Sequence, residues 1–371
     1  MAVHDCAALN RQDQPRDHGY CAATSSCFPW GFTPNTFLSG MYGQREPGLL
    51  EKLGETVEKD RVFTTTGNAI LLCKDFTTVL SMRRESRAEI LSQLREIHDG
   101  EFRRTFGTGE TKVWRGRITI IAAVTPAIDR HYSVFGVLGE RFLQVRWHRP
   151  GSPKAGQQAI RQQGAEQTIR EELQRAVKDV FDRAVKSAPK LDAKAEKRLA
   201  NAAELVAIAR THVFRNNYGN RDIEYTPEPE GNTRISKGLA SIAKGVAALN
   251  GRRKVEEPDL QDAFRVALDS ISDNRRRLLL SIVQEDSKAV GLARTVMARE
   301  IEELQALGLI TIPRTGSTPQ LTKQTSKLFQ TAGIVINNGR LSTRPPSTKR
   351  TASNDGSSMQ LPITPPSSAK S

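Results

Sequence analysis

Apolar and polar positions change their spacing several times along the chain. Ala69 to Cys73 form a short unbroken apolar run that ends at Asp75, and Ile118 to Val124 form a second, stopped by Pro126. Short continuous runs of this kind predict strands of a buried parallel sheet. Between them, SRAEILSQLREIHDG sets Ile90, Leu91, Leu94 and Ile97 at helical spacing and stops at Gly100, a residue type suited to closing a helix. HYSVFGVLGERFLQVRW then predicts a short helix and a third strand. Strand and helix in alternation over residues 31–150 read as a parallel α/β layer.

From residue 151 to 271 the period is helical throughout. Ile169, Leu173, Val177, Val180 and Ala184 form one stripe, and AEKRLANAAELVAIARTHVF, ISKGLASIAKGVAALNG and EPDLQDAFRVALDSI predict three further helices of a small bundle. The last is opened by Glu257, Pro258 and Asp259, a good N-terminal signal. NNYGNRDIEYTPEPEGN reads as a loop. Residues 272–335 predict helix, helix, a turn at Gly308 and a strand, which suggests a winged helix. Val296, Ile301, Leu304 and Leu307 form its core face, and Arg294, Thr295 and Arg299 are left for DNA. The chain between Val283 and Gly291 is short for the usual second helix, so a helix pair that merely closes the bundle is the alternative. Residues 1–30 show no period, and 336–371 are dominated by Ser, Thr, Pro and Lys; both predict disorder. The expected fold is therefore α/β followed by all-α.

The 371 residues are 37% hydrophobic and 26% charged, enough for a packed core in two or three domains. No apolar run is long enough to cross a membrane, and the N-terminus has no secretory pattern. Cys6, Cys21, Cys27 and Cys73 have no zinc-ribbon spacing, and a reducing cytoplasm is the simplest compartment. The net charge of +14 favours a polyanionic partner. From Arg314 onward, eight basic residues face one acid, Asp355, so much of the excess lies near the C-terminus.

Candidate chemistry gathers at the strand ends. Asp75 stands where open α/β sheets bind ligands and could hold Mg²⁺ through water; its bland role is to cap the next turn. The following position, where a carboxylate would orient water, is Phe76. Thr125 ends the next strand, either as a phosphate or water contact or as a plain turn residue. Arg141 is either a group offered to a neighbour's phosphate or a surface ion pair. Arg234, in the first turn of a helix, faces either a phosphate or solvent. Neither metal-ligand spacing nor a nucleophile elbow occurs.

In this order these elements resemble AAA+ ATPases of the minichromosome-maintenance type, and more closely the bacterial and phage ATP-binding proteins related to them. GFTPNTFLSG, KDFTTVLSM, QLREIHDGEFRRTFGTG, AAVTPAIDRH, LGERF, TRISKGL and GRRKVEEPDLQDAFRVALD carry the resemblance, from Gly31 to Pro313. It implies ATP and Mg²⁺ as cofactors, DNA as partner and a homo-oligomeric ring. It also implies that Asp75 binds magnesium, Thr125 is the first sensor, Arg141 is a finger acting on the neighbouring subunit and Arg234 is the second sensor. A hairpin with Arg103, Arg104 and Lys112 would face DNA, and the helices after residue 151 would form the lid. Yet no G-x-x-x-x-G-K followed by Ser or Thr occurs. GTGETK from Gly107 comes after the magnesium strand, and GSPKAGQQ from Gly151 lacks the closing Lys, so both read as turns. The expectation is a helicase-like, DNA-acting ATP-binding protein, truncated or degenerate, with weak or no hydrolysis. The alternative is a non-catalytic DNA-binding regulatory or structural protein of a mobile element.

Overall fold

The computed structural model describes residues 33–342 apart from 34, 40–47, 54, 59–61, 74, 132–140, 148–151, 217, 218, 220, 286–290, 315, 316, 338 and 339. The expected disorder of residues 1–30 and of the tail beyond Ser342, and the short helix before Arg141, fall outside the described residues.

The first part of the chain builds α1 (Leu49–Leu53), β1 (Glu55–Glu58), β2 (Val62–Cys73), α2 (Thr77–Leu80), α3 (Arg84–Asp99), β3 (Glu101–Thr105) and β4 (Thr111–Ala122). The strands form one sheet in the order β1-β2-β4-β3. β2 and β4 run parallel from Val62 opposite Val113 to Cys73 opposite Ala122. The outer strands β1 and β3 are antiparallel to their neighbours. The all-parallel layer expected from the sequence is thus a mixed sheet, because short turns join the outer strands to their partners and reverse the chain.

Helix α3 makes the crossover between the two parallel strands. It buries Ile90, Leu91, Leu94 and Ile97 and ends where Gly100 adopts φ 98°, with its N–H donating to the carbonyls of Glu96 and Ile97. The covered sheet face holds Phe63, Leu71, Cys73 and Trp114. Trp114 Nε1 donates to Thr65 Oγ1 at 2.9 Å. Gly116 makes that contact possible, since a Cβ there would stand 2.9 Å from Trp114 Cζ2 and Thr65 Cβ. Burial pushes the Cys73 thiol up to about 11, as expected of an inert core cysteine. On the opposite face Arg115, Arg117, Thr119 and Ile121 are exposed, and Ile70 and Leu72 are half-buried.

The third strand expected at residues 142–147 does not join the sheet. Gln144 N–H donates to Ser270 Oγ and Arg146 N–H to Asp269 Oδ2, both at 2.9 Å, so side chains of the helical part satisfy this backbone. Phe142 packs against the sheet core and Leu143 against the helical core.

The remainder comprises α4 (Pro153–Arg161), α5 (Glu166–Arg183), α6 (Ala193–Arg210), β5 (Phe214–Arg215), β6 (Ile223–Tyr225), α7 (Thr233–Leu249), α8 (Glu257–Asp269), α9 (Asp273–Gln284), α10 (Arg294–Ala306), β7 (Ile310–Thr311), β8 (Gln320–Leu321), α11 (Lys323–Ala332), β9 (Val335–Asn337) and β10 (Arg340–Ser342). This is a mixed α/β layer followed by a helical body. One hydrophobic cluster runs from Ala195 to Ile334, so α6 to α11 share a core across the boundary expected near residue 271. Two further expectations are corrected. The apolar stripe of α5 is not part of this core, since α5 has no buried residue. Disorder does not begin at residue 336, because β9 pairs with β10 and α11 buries Leu328, Phe329 and Ala332. Among the described residues no helix is long and apolar enough to cross a membrane.

Candidate functional site

The parallel pair brings Asp75 and Thr125 to the same end of adjacent strands. Ala123 N–H donates to Cys73 O at 2.8 Å and Phe76 N–H to Ala123 O at 2.9 Å, so the two strand ends stay in register past the last paired residues. Thr77, which sequence reasoning passed over, joins them. Its N–H donates to Asp75 Oδ1 at 3.1 Å, its hydroxyl accepts from Thr125 N–H at 3.1 Å, and the two threonine hydroxyls lie 3.4 Å apart. The Asp-Phe-Thr spacing was the available signal, because a carboxylate commonly caps the N–H two residues on. Asp75 therefore does cap a turn with one oxygen, while Oδ2 has no hydrogen-bond partner among the described residues. Phe76 is 5% exposed and belongs to the sheet core.

Arg141 and Arg234 lie elsewhere. Arg141 donates from Nε and Nη2 to the two oxygens of Asp99, at 3.2 and 2.6 Å, and Arg234 Nη2 approaches the same carboxylate at 4.0 Å. The hydrogen bond from Arg141 holds the Asp99 carboxyl below its ordinary value. Asp99 closes α3, about 24 Å of helix at 1.5 Å per residue, away from the strand ends. The two arginines thus meet each other and not Asp75. Arg141 does not stand at the mouth of a strand; it is engaged in a bidentate ion pair.

The hairpin β3–β4 forms as expected, but its cations differ in access. Arg103 is exposed, with Glu101 at 3.8 Å. Arg104 is half-buried beside Glu89 at 3.3 Å. Lys112 is corrected as a DNA contact. It sits on the covered face and donates to Ser39 O at 2.9 Å, with Glu51 at 3.4 Å, which leaves no ammonium for a phosphate.

On α10, Arg294, Thr295 and Arg299 are all exposed, and neither arginine side chain makes an ion pair among the described residues. Met297 packs on the core where Val296 was expected, beside Ile301, Leu304 and Leu307. The acidic side of α10 faces inward. Arg275 donates to Glu303 at 2.7 Å, and Arg215 reaches Glu303 at 2.8 Å and Glu302 at 3.0 Å. These contacts fix the outward face in orientation.

His212 lies beside this network, edge-on to Phe214 with ring centroids 4.6 Å apart. Burial, aided by the Arg275 charge, holds its pKa below 6.5. The native state then binds the proton less readily than the unfolded chain. Its contribution is complete above the ordinary histidine value and is lost as pH falls through that value towards the lower folded one. For Glu303, burial alone would raise the pKa, but hydrogen bonds from Arg275 and Arg215 hold it below 4.5, so its contribution is lost only at lower pH. Buried Glu300, raised by desolvation, works in the opposite direction. The expected result is a urea midpoint that falls between pH 7 and 5.5 more steeply in the wild type than in His212→Gln. Parallel slopes would remove His212 from the account.

Arg146 is the residue for which the sequence carried no signal. Its guanidinium donates to both oxygens of Asp129 at 2.7 Å and to the carbonyls of Asp269 and Ile271 at 2.9 and 3.0 Å. Asp129 lies in the turn Pro126–His131 that follows Thr125. Arg146 thus ties the Thr125 end of the sheet to the junction of α8 and α9.

No protein-family model matches this chain, and no curated protein matches it.

Proposed function

We propose that this chain is a DNA-acting relative of the AAA+ ATPases of the minichromosome-maintenance type, with weak or no ATP hydrolysis of its own. One observation carries the reading: Asp75, Thr77 and Thr125 share the carboxyl ends of two adjacent parallel strands, where α/β sheets place ligands. The donor set is nevertheless incomplete for Mg²⁺-ATP. It offers one free carboxylate oxygen and two hydroxyls, and the sequence supplies no glycine-rich loop or lysine to cradle phosphates. Phe76, turned into the core, removes the carboxylate that would orient water. No group of three or more His, Cys, Asp or Glu side chains suited to a metal occurs among the described residues.

Arg141 and Arg234 support a ring. Being paired with each other's neighbour Asp99 and remote from Asp75, they could serve a nucleotide there only from an adjacent copy. DNA falls to the α10 face, where Arg294 and Arg299 contact phosphates and Thr295 a base edge, with Arg103 of the hairpin adding charge. A second reading, a non-catalytic DNA-binding regulatory or structural protein of a mobile element, is favoured by the cap that Asp75 makes to Thr77.

Phosphate release and ATP binding by the full chain, with and without duplex DNA, test these readings. The expectation is no DNA-stimulated release beyond that of Asp75→Ala, and DNA binding that weakens with salt. Arg294→Ala with Arg299→Ala should weaken that binding roughly tenfold, about 1.4 kcal/mol. Turnover abolished by Asp75→Ala would reveal a working motor. DNA binding without any ATP binding would favour the second reading, and no DNA binding at low salt would defeat both.

A further inference from the structure

Two surfaces of this chain lack the cover that their chemistry calls for. The first is α5. None of its 18 residues is buried, and Leu173, Val177, Val180 and Phe181 are 61%, 53%, 37% and 58% exposed on one side of the helix. An amphipathic helix owes most of its stability to packing of its apolar side, so a wet stripe on an 18-residue helix marks an unfilled contact. Its C-terminal end is anchored nearby, where Val185 N–H donates to Ala248 O beyond α7. The second is the open face of the sheet. Parallel strands are ordinarily covered on both faces. Here Ile121 is 52% exposed, Thr119 is exposed beside it, and Ile70 and Leu72 are only half-buried.

We propose that the stripe of α5 packs on the open face of the β2–β4 pair of a second copy of this chain. The dimensions agree: α5 is about 27 Å long at 1.5 Å per residue, and β4 from Arg115 to Ile121 spans about 20 Å at 3.3 Å per residue. The charges agree too. On the helical wheel, Glu172 and Asp179 border one edge of the stripe, and neither makes an ion pair among the described residues. The open face presents Arg115 and Arg117 next to Thr119 and Ile121; Arg115 shares Glu101 at 3.1 Å, and Arg117 has no partner among the described residues. Acidic edge and basic strand complete each other when the helix lies along β4. Because the two surfaces are different patches of one chain, the contact is head-to-tail, and copies add in a ring or a line. This inference rests on the two surfaces and not on nucleotide chemistry.

Sedimentation velocity on the full chain over a concentration series tests it, with Val177→Asp on the helix and Ile121→Asp on the sheet. Both side chains are exposed, so the variants should fold, and circular dichroism checks that they do. The wild type should self-associate, and each variant alone should be monomeric, with association weakened at least tenfold. An equimolar mixture of the two variants should give a dimer and nothing larger, because only one intact helix face and one intact sheet face remain to meet. Arg117→Glu should weaken assembly and Asp179→Arg should restore it in the same chain. A wild type that stays monomeric throughout overturns the proposal. So does assembly abolished by Val177→Asp but indifferent to Ile121→Asp, which would mean that two α5 stripes pair with each other.

Discussion

Replacing Arg146 with methionine should uncouple the sheet from the helical body, at a cost of about 3 kcal/mol. Arg146 is 11% exposed and its partner Asp129 26%. The guanidinium neutralises that carboxylate and satisfies two carbonyls at the end of α8. Methionine fills similar volume but donates nothing, so a partly buried charge and two acceptors lose their partners at once. The surviving backbone bonds of residues 144 and 146 are too few to hold the segment against solvent. Calorimetry should therefore resolve two transitions where the wild type shows one, and proteolysis should open the chain within residues 142–147. Asp129→Asn, which keeps an acceptor, should cost less than Arg146→Met. A shift below about 1 kcal/mol, in the range of an ordinary surface pair, would sink this account.

Arg275→Met should have the larger effect, about 4 kcal/mol, and should abolish DNA binding as well. Arg275 is 2% exposed. It donates to the carbonyls of Ala209 and Thr211 at 2.9 and 2.7 Å and to Glu303 at 2.7 Å, with Glu300 at 3.5 Å. Those carbonyls belong to the last turn of α6, which has no intrahelical donors left for them. Two carboxylates of α10 would be stranded in the same place. Released from them, α10 loses the orientation that turns Arg294 and Arg299 outward. Removing Glu303 in the same chain should recover part of the loss, because the stranded charge goes with it. Denaturant midpoints of both single variants and the double variant measure this. Strict additivity would show that the two side chains do not act as one unit.

How much of this could be read in advance depended on how local each signal was. Ala69–Cys73 and Ile118–Val124 carry their own strand pattern, and α3 carries both its stripe and its stop at Gly100, so the parallel pair and the meeting of Asp75 with Thr125 were legible. The opening of α8 was legible for the same reason: Pro258 and Asp259 act within one turn, where Glu256 and Asp259 form a capping box. Residues 142–147 misled because alternation fits any extended segment, and the groups that claimed this backbone, Asp269 and Ser270, lie more than a hundred positions away. Lys112 misled because a cation in a hairpin ordinarily faces water; its acceptors, Ser39 and Glu51, come from a different element. The stripe of α5 was visible as a pattern, but a pattern does not say whether its partner lies in the same chain.

Phe142 and Leu143 are consecutive, yet one side chain is seated in the core of the sheet and the other in the core of the helices. A Cβ on Gly238 would come within 2.8 Å of Leu143, so the second seat has no slack. The joint between the two bodies is accordingly about one peptide long, and no flexible stretch of chain takes up torque across it. Any twist imposed at the strand ends must either reach α8 and α9 undiminished or pull one of these two side chains out.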